Sequence, residues 1–202
     1  MLSAARIPLI EDDIYGELSF EQLRPSIAKR YDTGSDVLYC SSLSKSLSPA
    51  LRIGWIAGGK YSEELNYQKF TLNAASATIP QLAAERLLRS GEYDRHLHRM
   101  RAALATSTAR IREALARHMP RGTQITQPRG GYALWLELPK QVDTLLLAEQ
   151  ALAQNISIAA GPLFTASEKY RHCLRISCAC PWNTQLEEGL ATLGTLANAQ
   201  CI

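Results

Sequence analysis

The chain has 202 residues, of which 46% are hydrophobic and 20% charged, and a formal net charge of +3 at pH 7. That composition excludes a disordered or collagen-like chain and fits one globular domain of ordinary size, or somewhat more. Lysines and arginines are interspersed with carboxylates, which argues against a polyanion-binding face. No apolar run reaches the roughly 20 residues of a membrane span, so no membrane partner and a cytoplasmic location are expected.

In chain order, Ile7-Pro8-Leu9-Ile10 reads as a short strand that ends in Glu11-Asp12-Asp13 and is followed by Ile14-Tyr15. A second strand, Val37-Leu38-Tyr39-Cys40, ends in the hydroxyl-rich Ser41-Ser42-Leu43-Ser44. A third, Arg52 to Ala57, ends in Gly58-Gly59. Near-continuous apolar strands of this kind belong to a sheet covered on both faces. From Ser62 to about Met119 the pattern is helical, broken near Ser76–Pro80 and Ser90-Gly91. Leu97, Met100, Leu104, Ile111 and Leu115 recur at helical intervals within it. After Pro120, strand-like runs at 123–126, 132–138 and 173–178 interleave with helical runs at 144–154 and 184–197. The expected division is a partial large α/β domain over 1–90 and a small α+β domain over 91–202.

Five cysteines show no CxxC pair and no metal-ligand spacing, so reduced thiols and no metal site are expected. The alternation Cys178-Ala179-Cys180 places both thiols on one face of a probable strand. His96 and His98 lie among arginines and are expected on a solvated helix face. Trp55 and Trp135 are expected in the core.

Three clusters carry chemistry. Asp12 and Tyr15 bring a carboxylate and a phenol to one strand end, although a surface turn would use the same residue types. The run Ser42-Leu43-Ser44-Lys45, followed seven residues later by Arg52-Ile53-Gly54, combines an amine with hydroxyls and a guanidinium suited to a phosphate dianion. A solvated Ser/Lys loop is the alternative. Arg175, inside the apolar run Leu174-Arg175-Ile176, is costly to bury unless paired, by a structural salt bridge or by a ligand.

The order and spacing of these clusters resemble the lysine motif of fold-type I pyridoxal-phosphate (PLP) aminotransferases. The resemblance implies the C-terminal part of the aspartate-aminotransferase-like fold. It makes Lys45 the residue that forms an imine with the cofactor aldehyde, with Ser42, Ser44 and Arg52 around the cofactor phosphate. Asp12 would pair with the pyridinium nitrogen, Tyr15 with the ring hydroxyl, and Arg175 with a substrate carboxylate.

Leu88–Arg101, Gly130–Pro139 and Ala160–Phe164 are similar to the MocR-type GntR regulators, in which such a domain follows a winged helix. That resemblance implies an amino acid or amine effector, a homodimer, and DNA contact only through a winged helix outside this sequence. A free-standing aminotransferase and a truncated, non-catalytic interaction module are the competing expectations. The glycine-rich phosphate turn and the ring-stacking aromatic of the parent fold have no counterpart in the sequence.

Overall fold

A computed structural model describes residues 2, 5, 7–21, 24–34 and 36–201. The chain forms two compact units, Met1–Met100 and Arg101–Ile202, and the division falls inside one long helix.

In the first unit β1 (Leu9–Asp12), β2 (Val37–Ser42) and β3 (Gly54–Ala57) form a sheet in that order. β1 and β2 run parallel, with Asp12 opposite Cys40, and β3 is antiparallel to β2, with Gly54 opposite Ser42. The apolar runs thus form strands, but the expectation that all three are buried is not met. Ile10, Trp55 and Ile56 are exposed, and no residue of β3 is buried. A three-stranded sheet with β1 and β3 at its edges leaves such side chains without cover within this unit.

The helical region divides where its breakers fall, into α1 (Ser62–Asn73), α2 (Thr78–Arg89) and α3 (Glu92–His118). Pro80 sits in the first turn of α2, where a missing N–H costs nothing. Gly91, at φ 70°, takes the left-handed conformation that reverses the chain into α3.

Two carboxylates organise the loop before β2. Glu11 accepts from the backbone N–H groups of Ala28 and Lys29, at 2.7 and 2.9 Å. Asp32 accepts from Lys29 Nζ at 2.9 Å and from the N–H groups of Asp36 and Val37, both at 3.1 Å. The Lys29 hydrogen bond, reinforced by the backbone donors, holds the Asp32 carboxyl at about 2, below its ordinary 3.8.

The second unit packs the rest of α3 with α4 (Thr144–Leu152) and α5 (Thr184–Ala199) around an antiparallel sheet. Its strands β4 (Gln124–Ile125), β5 (Ala133–Glu137), β6 (Ala159–Ala160) and β7 (Cys173–Ser177) lie in the order β4-β5-β7-β6. Asp143 caps α4 by accepting from Leu145 N–H at 2.9 Å, and Asn183 caps α5 by accepting from Leu186 N–H at 2.8 Å. The core joins Ile111 and Leu115 of α3 to Leu134, Leu136, Leu174 and Ile176 of the sheet and to Leu147, Leu190 and Leu193 of the other helices.

The two-residue β6 carries only alanines, too short a run to register as an alternating pattern. The chain also leaves β7 at Ser177, so the expected alternation does not extend to the two thiols. Cys178 is buried, and burial pushes its thiol up to about 11, whereas Cys180 is exposed. Among the described residues no helix is long and apolar enough to cross a membrane, and no cluster of side chains could hold a metal ion.

Candidate functional site

Because β1 and β2 are parallel and β3 returns antiparallel, the C-terminal ends of β1 and β2 and the start of β3 lie at one end of the sheet. Asp12 closes β1, Ser42 closes β2, and Arg52 precedes β3. Ser44 and Lys45 lie in the turn that leaves β2, and Tyr15 in the turn that leaves β1. Strand C-terminal ends are where open α/β sheets bind ligands, since the backbone there diverges into loops.

The turn after β2 is held by its own backbone. Leu43, 2% exposed, donates to Ile53 O at 3.1 Å, and its carbonyl accepts from Leu47 and Ser48 at 2.9 and 3.0 Å. Ser42 Oγ accepts from Ser44 N–H at 3.3 Å, which leaves the Ser42 hydroxyl hydrogen to donate elsewhere. Arg52 follows the 3-10 turn Pro49–Leu51 in the left-handed region, at φ 53° and ψ 39°, an uncommon conformation for a residue with a Cβ. Its N–H donates to Pro49 O at 3.4 Å, and its side chain is exposed. The guanidinium is therefore carried on a fixed backbone and open to an anion.

The adjacent carboxylates Asp12 and Asp13 are in different circumstances. Asp13 is engaged by Arg24 Nη2 and by Tyr39 Oη, the latter at 2.9 Å, while Arg24 Nε donates to Glu17 at 2.8 Å. Burial, and next the hydrogen bond to Asp13, push the Tyr39 phenol up; burial opposes the Arg24 charge, but Asp13 and Glu17 hold its pKa above the ordinary value. Asp12 is exposed, and its carboxylate forms no hydrogen bond or ion pair with another described residue. Asp13 is thus taken up by its Arg24 and Tyr39 partners, whereas Asp12 is not. The Arg24 network joins residues 7 to 26 positions apart, separations at which no sequence spacing points to it.

Arg175 departs from its expectation as a buried charge. It lies on the outward face of β7, exposed, opposite Trp135 and Ala159, with its guanidinium 4.9 Å from the centre of the Phe164 ring. Trp135 packs edge-on against Phe164 and Tyr170, with ring centres 5.6 and 5.4 Å apart. No salt bridge ties Arg175 to a described carboxylate. Strand alternation explains the difference, since Leu174 and Ile176 take the buried face and Arg175 takes the other.

His96 also departs from the solvated surface expected of it. It is half-buried, and its Nε2 lies 2.9 Å from Ser46 O, one residue beyond Lys45. Tyr93, one helical turn earlier, donates to Ser46 Oγ at 2.7 Å. The Tyr93-x-x-His96 spacing, two polar side chains on one helix face, was the available signal. Trp55, expected in the core, is exposed on β3.

A sheet end that presents a lysine turn, a free carboxylate and an exposed arginine is the architecture of the PLP-dependent transferases. The chain belongs to the aminotransferase class I and II family, whose model matches residues 1–193. It is 43% identical over 192 residues to the HTH-type transcriptional regulator YjiR of Escherichia coli, with 93% of this chain and 40% of that protein covered. Aromatic-amino-acid aminotransferase 1 of Thermococcus litoralis is 29% identical over 188 residues, covering 92% of this chain and 45% of the enzyme. Among solved structures, the α-aminoadipate aminotransferase LysN of Thermus thermophilus, complexed with N-(5'-phosphopyridoxyl)-L-leucine, is similar with a TM-score of 0.91 at 27% identity. That match covers 100% of this chain and 52% of LysN. The chain thus spans about two-fifths to one half of the length of these relatives, and its fold is that of the corresponding part of an aspartate-aminotransferase-like protein.

Proposed function

We propose that this chain is the PLP-binding, effector-sensing part of a MocR-type transcriptional regulator. The observation that carries the reading is the convergence of Asp12, Ser42, Lys45 and Arg52 at one end of the first sheet. The donor set suits the cofactor. Arg52 and the hydroxyls of Ser42 and Ser44 offer charge-assisted and neutral donors to a phosphate, and the Asp12 carboxylate keeps a pyridine nitrogen protonated. Tyr15 offers its phenol to the ring hydroxyl. PLP supplies an aldehyde and a ring that withdraws electrons from a bound amino compound. Lys45 Nζ would be the amine that meets that aldehyde, and the same nitrogen, when free, could hold a proton beside the bound amino compound. The exposed Arg175 guanidinium, on its aromatic support, binds a carboxylate.

The preference for a regulator rests on the higher identity to YjiR than to the Thermococcus enzyme. In this reading an amino acid or amine is the effector, and it acts by binding two conformations unequally. A homodimer, a cytoplasmic location, DNA contact through a winged helix of the longer protein, and a division into 1–90 and 91–202 complete the proposal. Catalysis of amino transfer is the second reading, favoured by the close fit to LysN.

Borohydride reduction in the presence of PLP tests the shared part. A pyridoxyl mass on the peptide containing Lys45, absent in Lys45→Ala, is expected. Labelling elsewhere, or none, would leave the chain as an interaction module. In the longer protein, amino compounds that alter the Schiff-base absorbance without releasing a 2-oxo acid support the regulator, whereas steady 2-oxo acid release supports the enzyme.

A further inference from the structure

From the contacts of Ser46 we infer that Tyr93 and His96 are positioning residues for Lys45. The inference rests on the proposed role of Lys45 and deepens it. Ser46 is 2% exposed, and it is gripped at two points by one face of α3: its hydroxyl by Tyr93 Oη at 2.7 Å, its carbonyl by His96 Nε2 at 2.9 Å. A carbonyl oxygen only accepts, so Nε2 carries the hydrogen in this contact.

Both bonds fall on the residue that follows Lys45, whereas the backbone bonds of the turn fall on Leu43, Leu47 and Ser48. Without the α3 contacts the peptide between Lys45 and Ser46 would be restrained only from a distance. His96 and Leu47 also line an open recess of about 300 Å³ together with Leu87, Glu92, Arg95 and Arg99. Leu97, 4% exposed and adjacent to His96, anchors this stretch of the helix. The consequence is a Lys45 whose main chain is fixed, so that only its side-chain torsions remain to be ordered when Nζ meets an aldehyde. Such pre-ordering raises the effective concentration of the amine at its target.

The test uses the 202-residue chain and the variants Tyr93→Phe, His96→Ala and His96→Gln. Amide hydrogen exchange is followed over residues 45–48. Lysine acylation by an anhydride is read by mass spectrometry as Lys45 relative to Lys60 and Lys69. Tyr93→Phe removes one hydroxyl and preserves the ring, so it reports even if His96→Ala unfolds. Removing either bond is expected to speed exchange in 45–48 by roughly five- to tenfold, the factor one ordinary hydrogen bond contributes to a local opening. It should also change the Lys45 acylation rate relative to the other two lysines, with exchange in β5 and β7 unaffected. His96→Gln, which retains an N–H donor, is expected to restore both readouts.

Unchanged exchange and unchanged Lys45 labelling in Tyr93→Phe and in a folded His96→Ala would overturn the inference. Loss in His96→Ala without recovery in His96→Gln would overturn its hydrogen-bond basis. These readouts do not require PLP. Failure of the cofactor to add to Lys45 would therefore remove the functional reading while the exchange and acylation results still decide the clamp.

Discussion

The second unit gathers sixteen buried side chains, from α3, α4, α5, the strands β5 and β7 and the segments that flank them, into a single cluster. Among the described residues of the first unit, the buried apolar side chains are Leu18, Val37, Leu43, Ala84 and Leu97, while Ile10, Tyr67, Phe70, Leu72 and Ile79 are more than half exposed. Yet the residues proposed for the cofactor, Asp12, Lys45 and Arg52, lie in the first unit. The chemistry-bearing loops thus lie where burial contributes least and directed polar contacts contribute most: the Leu43 turn, the Asp13–Arg24–Tyr39 network and the Asp32 knot. Free energies of local opening follow buried contact, so the two units should differ most in how readily they open.

The largest effect that would sharpen this contrast is expected from Leu174→Ala. Leu174 is fully buried in β7, and its truncation should cost about 2–5 kcal/mol in urea unfolding followed by tryptophan fluorescence. Ile10→Ala, at a side chain 69% exposed, should stay within about 0.5 kcal/mol. Equal costs would break the comparison.

Next is Gly194→Ala in α5, where a Cβ would lie 2.5 Å from His118 O. Because the obstacle is backbone, the helices must separate, and a loss of about 1–3 kcal/mol is expected by the same measurement.

A pH effect confined to the first unit should be smaller. The Asp32 carboxyl is held at about 2 when folded, against an ordinary 3.8. Its stabilising contribution is therefore complete above the ordinary value and is lost as pH falls through about 2. Amide exchange at Asp36 and Val37, corrected for intrinsic pH dependence, should accelerate across that window in the native chain. The acceleration should be absent from Asp32→Asn.

The smallest expected change is kinetic. Under native conditions near neutral pH, iodoacetamide should modify the exposed Cys180 well before Cys178, whose thiol is buried and pushed up to about 11. Comparable rates would show that the segment after β7 opens as readily as the loops of the first unit.

Much of the architecture was legible in the sequence. Apolar runs bounded by polar turns located the principal strands, a helical pattern located the five helices of the described residues, and Pro80 and Gly91 marked the breaks between helices, because these signals depend only on near neighbours. The lysine motif and the D-x-x-Y spacing singled out Asp12, Lys45 and Arg52 for the same reason. His96 was misplaced because its partner, Ser46, lies 50 residues away, and a histidine among arginines reads as solvated when that partner is unseen. Arg175 was read as buried because its sequence neighbours are apolar, although alternation sends it to the opposite face.

The order of residue types along the chain was sufficient to place a lysine turn between two strands and a carboxylate at the end of a third. Covalent spacing and side-chain period are local properties. That Asp13 is taken up by Arg24 and Tyr39, and that Tyr93 and His96 grip the residue after Lys45, were decided only by the tertiary structure. Each depends on a partner brought close in space by strand pairing or helix packing.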